Sequence, residues 1–158
     1  AVEQLIARFG QLDAAFANAG TGVNQPGTEK GDPDEWNTML DINIRGVLWT
    51  AKVTLPHLRE RKGHFLVTGS VAGRRAAKGS IYSSSKWFVH GFAQNLAGEM
   101  AEWDGRCTEI LPGMVDTPFF DDPKPDKLQP EDIASAVMFA LDAPARANVR
   151  EIFVMPTH

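Results

Sequence analysis

Short apolar runs alternate along this chain with longer stretches in which apolar residues recur every three or four positions. Three of the runs have the length and composition of buried strands, at 12–17, 64–68 and 107–111. Helical spacing is found in two longer stretches, near 33–62 and 82–102. The first begins with Asp32 as N-cap and Pro33 at the first helical position. Strands that alternate with helices in this way predict an α/β domain with a parallel sheet.

Small, rigid or polar residues follow each of these predicted strands. They are Asn18, Ala19 and Gly20 after the first strand, Ser70 after the second, and Pro112, Gly113, Val115 and Thr117 after the third. Because open parallel sheets bind ligands at the carboxyl ends of their strands, we expect these residues to meet at one edge of the sheet. A serine at a strand end is also a common turn residue, so Ser70 by itself does not establish a site.

Tyr82, the only tyrosine of the chain, precedes Lys86 by four residues on the second predicted helix. This spacing places both side chains on one helical face, where an ammonium group favours the ionised form of a phenol. At about 4 Å and an effective dielectric constant of about 20 the attraction is worth roughly 4 kcal/mol, or about three pKa units. The pair therefore predicts a proton-transfer group, although such pairs also occur on solvated helix faces.

Asn43 lies inside the first predicted helix. An asparagine side chain competes with the helix backbone for hydrogen bonds, so this position needs an explanation. Exposure to solvent and a functional role both provide one, and the pattern does not decide between them.

Five segments, in order, resemble the motifs of the short-chain dehydrogenase/reductase family. They are N-A-G at 18–20, D-I-N-I-R-G at 41–46, V-T-G-S-V-A-G at 67–73, Y-S-S-S-K at 82–86 and P-G-M-V-D-T at 112–117. The last helix and last strand of that family resemble the stretches near 130–142 and 151–155. The resemblance implies a single domain over 1–158, with a Rossmann-like, doubly wound parallel sheet that carries helices on both faces.

The same resemblance implies an oxidoreductase that moves hydride between NAD or NADP and the carbonyl or alcohol carbon of a small molecule. Tyr82 would be the general acid in reduction and the base in oxidation, and Ser70 would hold the carbonyl oxygen. Lys86 would lower the Tyr82 pKa and bind the nicotinamide ribose, and Asn43 would anchor a water in the proton relay. The implied cofactor contacts are Asn18, Ala19, Gly20, Tyr82, Lys86, Pro112, Gly113, Val115 and Thr117.

The glycine-rich turn with which this family usually begins, T-G-x-x-x-G-x-G, has no counterpart among the 14 glycines. That turn places the cofactor pyrophosphate against a helix N-terminus. We therefore expect an N-terminally truncated version of the fold, which by itself binds dinucleotide weakly. The alternative function is that of a catalytically inactive remnant, which persists as an oligomerising, non-enzymatic domain.

A net charge of −4 argues against a general nucleic-acid or anionic-membrane surface. The single cysteine, Cys107, excludes an internal disulfide. Neither a signal peptide nor an apolar run of about 18 residues is present, which predicts a cytoplasmic protein without a membrane segment. The four histidines show no ligand spacing with one another or with carboxylates, so no metal site is predicted.

Two further expectations concern the surface. The segment 119–130 is rich in proline and aspartate and is predicted to be a solvated, mobile cover over the active edge of the sheet. The helix at 82–102 is apolar over more than one stripe, and the strand at 12–17 is expected to leave an unpaired edge. Both features predict a homo-oligomer, either a dimer or a tetramer.

Overall fold

The computed structural model describes residues 1–157. The strands are β1 (Ala14–Ala17), β2 (His64–Thr68), β3 (Arg106–Pro112) and β4 (Glu151–Val154). The α-helices are α1 (Val2–Phe9), α2 (Pro33–Leu40), α3 (Gly46–Arg61), α4 (Ile81–Ala101) and α5 (Pro130–Asp142). A π-helical turn (Asp41–Arg45) joins α2 to α3, and a short 3-10 turn (Val71–Gly73) follows β2.

The four strands form one parallel sheet in the order β1-β2-β3-β4. Val67 in the middle of this sheet lies opposite Ala17 on one side and Glu109 on the other. Each pair of neighbours is joined by a helical crossover, as parallel pairing requires. The predicted parallel α/β fold is thus confirmed, with β1 two residues shorter at its start than the apolar run at 12–17.

Helices cover both faces of the sheet. On one face, apolar residues of α3 and α4 pack with Ala17, Phe65, Val67 and Cys107 to form the main core. Leu66 and Ile110 point to the opposite face, because side chains alternate along a strand, and they are also buried. That second face carries α5, which packs on β3 and β4. The doubly wound arrangement implied by the sequence is therefore present.

The π-helical turn interrupts what would otherwise be one helix over 33–61. Its defining hydrogen bond runs from the Gly46 N–H to the Asp41 carbonyl, five residues earlier. Asn43, in the middle of this turn, is completely buried. Turns of this kind are frequent at functional sites, and this one faces the carboxyl end of the sheet.

His64 is a buried histidine whose protonation is coupled to folding. The Thr108 hydroxyl donates to the Val149 carbonyl at 2.5 Å, so it accepts from His64 Nε2 at 2.7 Å. This leaves His64 Nδ1 as an unprotonated nitrogen without a partner among the described residues. Burial, with a smaller effect of Arg106, lowers the pKa of His64 to about 4.

We expect the free energy of unfolding to fall as the pH drops through the range from 6.5 to about 4. In that range the unfolded chain takes up a proton at His64 while the folded chain does not, which removes up to about 3 kcal/mol. The variant His64→Gln lacks this titration. Urea unfolding at pH 7 and at pH 4 should therefore show a smaller decrease in the free energy of unfolding for the variant than for the native chain. Equal decreases would contradict the prediction.

Candidate active site

A cleft of about 1690 Å³ opens at the carboxyl ends of β1, β2 and β3. All of the residues predicted to contact a cofactor line this cleft, together with Ser70. Asn43 is the one predicted site residue that lies beneath the lining instead of in it. The chain thus gathers polar groups from three strand ends at the position where open α/β sheets bind their ligands.

Ser70 and Tyr82 are held together by local capping at two element ends. Ser70 lies two residues after β2, and its hydroxyl accepts from the Ala72 N–H at 3.1 Å, which caps the 3-10 turn. Ser80 caps α4 by accepting from the Ser83 N–H at 3.0 Å, and the Ser83 hydroxyl donates to the Ala72 carbonyl at 2.6 Å. These bonds fix the first turn of α4 against the end of β2, where the Ser70 hydroxyl lies close enough to Tyr82 to affect its pKa.

Burial raises the pKa of Tyr82 above its usual value of 10.0, and the nearby Ser70 side chain opposes this only in part. The expected lowering of the Tyr82 pKa by Lys86 is not found. Lys86 Nζ lies 5.9 Å from the centre of the tyrosine ring and donates to the Thr68 carbonyl at 2.9 Å. Removal of the phenol from water therefore outweighs the attraction of the ammonium group.

Lys86 is itself almost entirely buried, at 4% exposure. Burial lowers the pKa of its ammonium group to about 8, and the charge of Glu109 opposes the effect. Lys86 is therefore mostly protonated at neutral pH, but it titrates within reach of mildly alkaline conditions.

Asn43 fixes the floor of the cleft. Its Oδ1 accepts from the Thr21 N–H at 2.9 Å, and its Nδ2 donates to the Thr21 carbonyl at 2.9 Å and to Ser85 Oγ at 3.1 Å. Solvent exposure, one of the two explanations left open by the sequence, is excluded by this burial. The amide instead ties the loop after β1 to α4, next to Lys86.

The loops after β1 and β3 are held by contacts that only small or rigid residues allow. The Thr68 hydroxyl donates to Asn18 Oδ1 at 2.8 Å, which joins the ends of β1 and β2. The Gly113 N–H bonds to the Val154 carbonyl at 2.8 Å, and a Cβ atom there would lie only 2.9 Å from Pro156. Val115 pairs with Leu128 in an isolated parallel bridge, which anchors the start of the loop that contains Thr117.

The family model for short chain dehydrogenases matches residues 1–128. The chain belongs to the short-chain dehydrogenase family. An uncharacterized oxidoreductase of Staphylococcus saprophyticus is 41% identical over 160 residues, which cover 98% of this chain and 68% of that protein. Another, from Staphylococcus aureus strain MRSA252, is 42% identical over 153 residues, with 94% and 66% covered. This short-chain dehydrogenase chain spans about two thirds of the length of these relatives.

Solved structures show the same fold. An alcohol dehydrogenase from the archaeon Thermococcus sibiricus, complexed with 5-hydroxy-NADP, has a TM-score of 0.88 at 30% identity, with 98% of this chain and 67% of that one covered. Serine dehydrogenase from Escherichia coli gives 0.86 at 30% identity, with 99% and 71% covered. Since these short-chain dehydrogenases are oxidoreductases by name, the comparisons do not favour a non-enzymatic domain. Within residues 1–157, no helix is long and apolar enough to cross a membrane.

Phe119 is a site residue that the sequence analysis missed. Its ring lies 5.5 Å from the Tyr82 ring, with the planes tilted by 58°, and 5.2 Å from that of Phe120. A Cβ atom on Gly22 would lie 3.2 Å from the Phe119 ring, so the ring also closes against the loop after β1. The segment predicted to be only a solvated cover thus places an aromatic side chain directly over Tyr82. The sequence signal for this site residue was the pair of adjacent phenylalanines in an otherwise polar loop.

A second missed group lies behind this short-chain dehydrogenase site. His90, Glu109 and Glu151 offer ligand atoms within 4.8 Å of one another, although they are far apart in the sequence. Sequence spacing gives no sign of this group, because the fold alone brings its members together. Arg74 already contributes a cation here, donating to Glu151 at 2.6 Å with the same nitrogen 3.4 Å from His90 Nδ1.

Because Tyr82 is the only tyrosine, tyrosinate absorbance reports its titration alone. We expect a midpoint above 10.0 in the native chain. Ser70→Ala should raise the midpoint further by removing the opposing effect of its hydroxyl, whereas Phe119→Ala should lower it by admitting water. Phe120→Ala is the matched control, because Phe120 packs edge-to-face on Phe119. A midpoint below 10.0 in the native chain would contradict the prediction.

Proposed function

We propose that this chain carries the proton-transfer site of an NAD(P)-dependent oxidoreductase that interconverts small-molecule carbonyls and alcohols. The observation that carries the proposal is that Ser70, Tyr82 and Lys86 line one cleft, with the Ser70 hydroxyl close enough to Tyr82 to affect its pKa. A carbonyl oxygen placed between two such hydroxyls would accept hydrogen bonds from both, in the arrangement that general acid catalysis needs.

The cleft has the residues to hold a nicotinamide dinucleotide. Lys86 supplies a buried ammonium group that uses one donor on the Thr68 carbonyl, and an ammonium has three donors in all. Gly20 lies beside Lys86 Nζ and Asn43 Oδ1, and a Cβ atom there would come within 3.5 and 3.4 Å of them. Asn18, Ala19, Pro112, Gly113, Val115 and Thr117 would complete the contacts. The bound cofactor would supply or accept the hydride.

Tyr82 would move the proton. In reduction, hydride adds to the carbonyl carbon and the phenol proton passes to the carbonyl oxygen, so the product is the alcohol. The raised pKa keeps Tyr82 protonated at neutral pH, ready to donate. In the reverse direction the tyrosinate takes the alcohol proton while the cofactor accepts the hydride.

Asn43 would support this chemistry from below. Its buried amide fixes the loop after β1 and the start of α4, between which Lys86 lies. We propose that Asn43 anchors a water of the proton relay. The hydrogen bonds that Asn43 makes at the floor of the cleft support this proposal.

Titration of NADH and NADPH tests the proposal and its rival, the non-enzymatic remnant. Two proteins are compared, the 158-residue chain and a fusion in which a family member's segment with the glycine-rich turn precedes Ala1. We expect weak binding by the chain, and tight binding together with reduction of carbonyl compounds by the fusion, because the turn supplies the pyrophosphate contacts. Failure of both proteins to bind either dinucleotide would overturn the proposed function.

We further propose that the chain forms a homo-oligomer. Trp49 and Val53 on α3 and Trp87 and Phe88 on α4 expose between 39% and 67% of their surface, and large exposed apolar side chains favour association. Sedimentation at micromolar concentration should show a dimer or tetramer, and a stable 17.3 kDa monomer would refute it. A cytoplasmic location stays a prediction, to be tested by cell fractionation.

A further inference from the structure

Glu109 is a completely buried carboxylate in the middle of β3. Its side chain shares a face of the sheet with Phe65, Val67 and Cys107, all members of the apolar core beneath α4. A charged group in such a position is unfavourable unless it has partners. The proton transfer proposed above gives Glu109 no part, so its burial needs another explanation.

Only one of the two carboxylate oxygens is paired. Oε2 accepts from His90 Nδ1 at 2.7 Å, whereas Oε1 has no hydrogen-bond partner among the described residues. Oε1 lies against the α-carbon of Gly69 and fills the space that any side chain at this position would need. Glycine at position 69 is therefore matched to the carboxylate behind it.

The Thr68–Gly69 peptide lies between Glu109 and the active site. The carbonyl of that peptide accepts from Lys86 Nζ at 2.9 Å, while the Gly69 α-carbon on its other side touches Glu109 Oε1. Lys86 and Glu109 are thus two buried groups of opposite charge, separated by one peptide unit. Their attraction is strong there because the local dielectric constant is low.

The other charged groups around Glu109 form an outer ring. His90 comes from α4, Arg74 from the loop after the 3-10 turn, and Glu151 from β4. Arg74 donates to Glu151 at 2.6 Å, so these two charges largely neutralise each other. Lys86 therefore remains as the cation across the peptide from the Glu109 carboxylate, and His90 contributes a hydrogen bond.

We propose that Glu109 is a positioning residue, whose buried carboxylate keeps the Lys86 side chain charged and directed to the end of β2. Burial acts against the ammonium form, and the carboxylate beneath the Thr68–Gly69 peptide offsets this effect. The importance of this for turnover rests on the proposed function, but the electrostatic coupling itself does not.

The coupling can be measured by NMR titration of the lysine side-chain carbons in the 158-residue chain, with the Lys86 signal assigned from Lys86→Met. Native Lys86 should titrate at about pH 8. In Glu109→Gln we expect the midpoint to fall by about one unit, since a neighbouring negative charge has been removed. Glu109→Asp retains the charge and should restore most of the shift. If Glu109→Gln does not fold, Glu109→Met, which fills a similar volume without a polar atom, replaces it.

Glu151→Gln is the matched control, because it removes a carboxylate of the same network that Arg74 already neutralises. Its Lys86 midpoint should equal that of the native chain. An unchanged midpoint in Glu109→Gln, even with reduced resistance to urea, would overturn the proposal and leave Glu109 a purely structural role.

Kinetics in the active fusion separate this proposal from the proposed function. There, Glu109→Gln should move the alkaline limb of the pH profile of kcat downward by the same amount as the NMR midpoint. An NMR shift in a chain whose fusion shows no turnover would sustain the coupling and count only against the oxidoreductase. Turnover by Glu109→Gln with an unchanged alkaline limb of the kcat profile would contradict the positioning role of Glu109.

Discussion

Replacement of Tyr82 by phenylalanine is expected to reduce turnover of carbonyl substrates about a thousandfold, within the range typical for loss of a general acid–base group. The variant loses the phenol proton but keeps the ring that packs against Phe119 at 5.5 Å. The fold and the affinity for dinucleotide should therefore change little. Steady-state kinetics in the fusion, with NADH or NADPH titration of the same variant, measures both quantities.

The pattern of the loss distinguishes the role of the hydroxyl from a general disturbance. We expect kcat to fall while the dissociation constant of the dinucleotide stays within about twofold, since the missing interaction acts in the transition state. Ser70→Ala should show a smaller loss of the same kind, because Tyr82 can still donate its proton. Retention of more than about a tenth of native turnover by Tyr82→Phe would contradict the assignment of this residue as the acid.

Asn43→Leu should lower the free energy of unfolding by about 3 kcal/mol, because it breaks three hydrogen bonds and leaves the Thr21 N–H and carbonyl without their partner. Leucine has a similar volume, so the loss reports the polar contacts and not a cavity. Urea unfolding followed by circular dichroism provides the measurement.

Asn37→Leu is the matched control for this substitution. Asn37 lies on the exposed side of α2, about one turn before the π-helical turn. Exposed substitutions usually change stability by less than about 0.5 kcal/mol. If Asn43→Leu were as mild as Asn37→Leu, the amide would have no structural role at the floor of the cleft.

The sheet could be predicted because its information is local. The apolar runs at 64–68 and 107–111 became β2 and β3, and their carboxyl ends meet as parallel strands must. The helix over 82–102 was also predicted within one residue at each end, since its apolar positions repeat regularly.

The electrostatics of the site could not be predicted in the same way. Helical spacing correctly placed Tyr82 and Lys86 on one face, but the direction of the Tyr82 pKa depends on Phe119 and on the depth of the cleft. The spacing of Tyr82 and Lys86 predicts neither the position of Phe119 nor the depth of the cleft. The π-helical turn was missed for a related reason, since no residue type marks it and only the position of Asn43 inside a helix hinted at it.

The sequence position of Glu109 was a signal of a special role, but the apolar pattern of the strand did not reveal it. A charged residue in the middle of an otherwise apolar strand at 107–111 is unusual, because buried strands of parallel sheets are nearly continuous in apolar residues. The partner His90 lies on the next helix back, and their contact appears only when α4 packs on β3.

The π-helical turn also determines what a one-residue deletion in this segment would do to the structure. A hydrogen bond from Gly46 to Asp41 encloses one residue more than an α-helical turn does, so deletion of any single residue within 41–45 would allow an unbroken α-helix. That shorter helix would gain regular backbone bonding and would keep its two halves in nearly the same relative orientation, because the wide turn accommodates its additional residue without a full residue's rotation. The wide turn that carries Asn43 at the floor of the cleft would be lost. A regular helix would therefore be favoured by backbone hydrogen bonding, whereas the site requires the wide turn. Such a conflict between local stability and function is common in proteins.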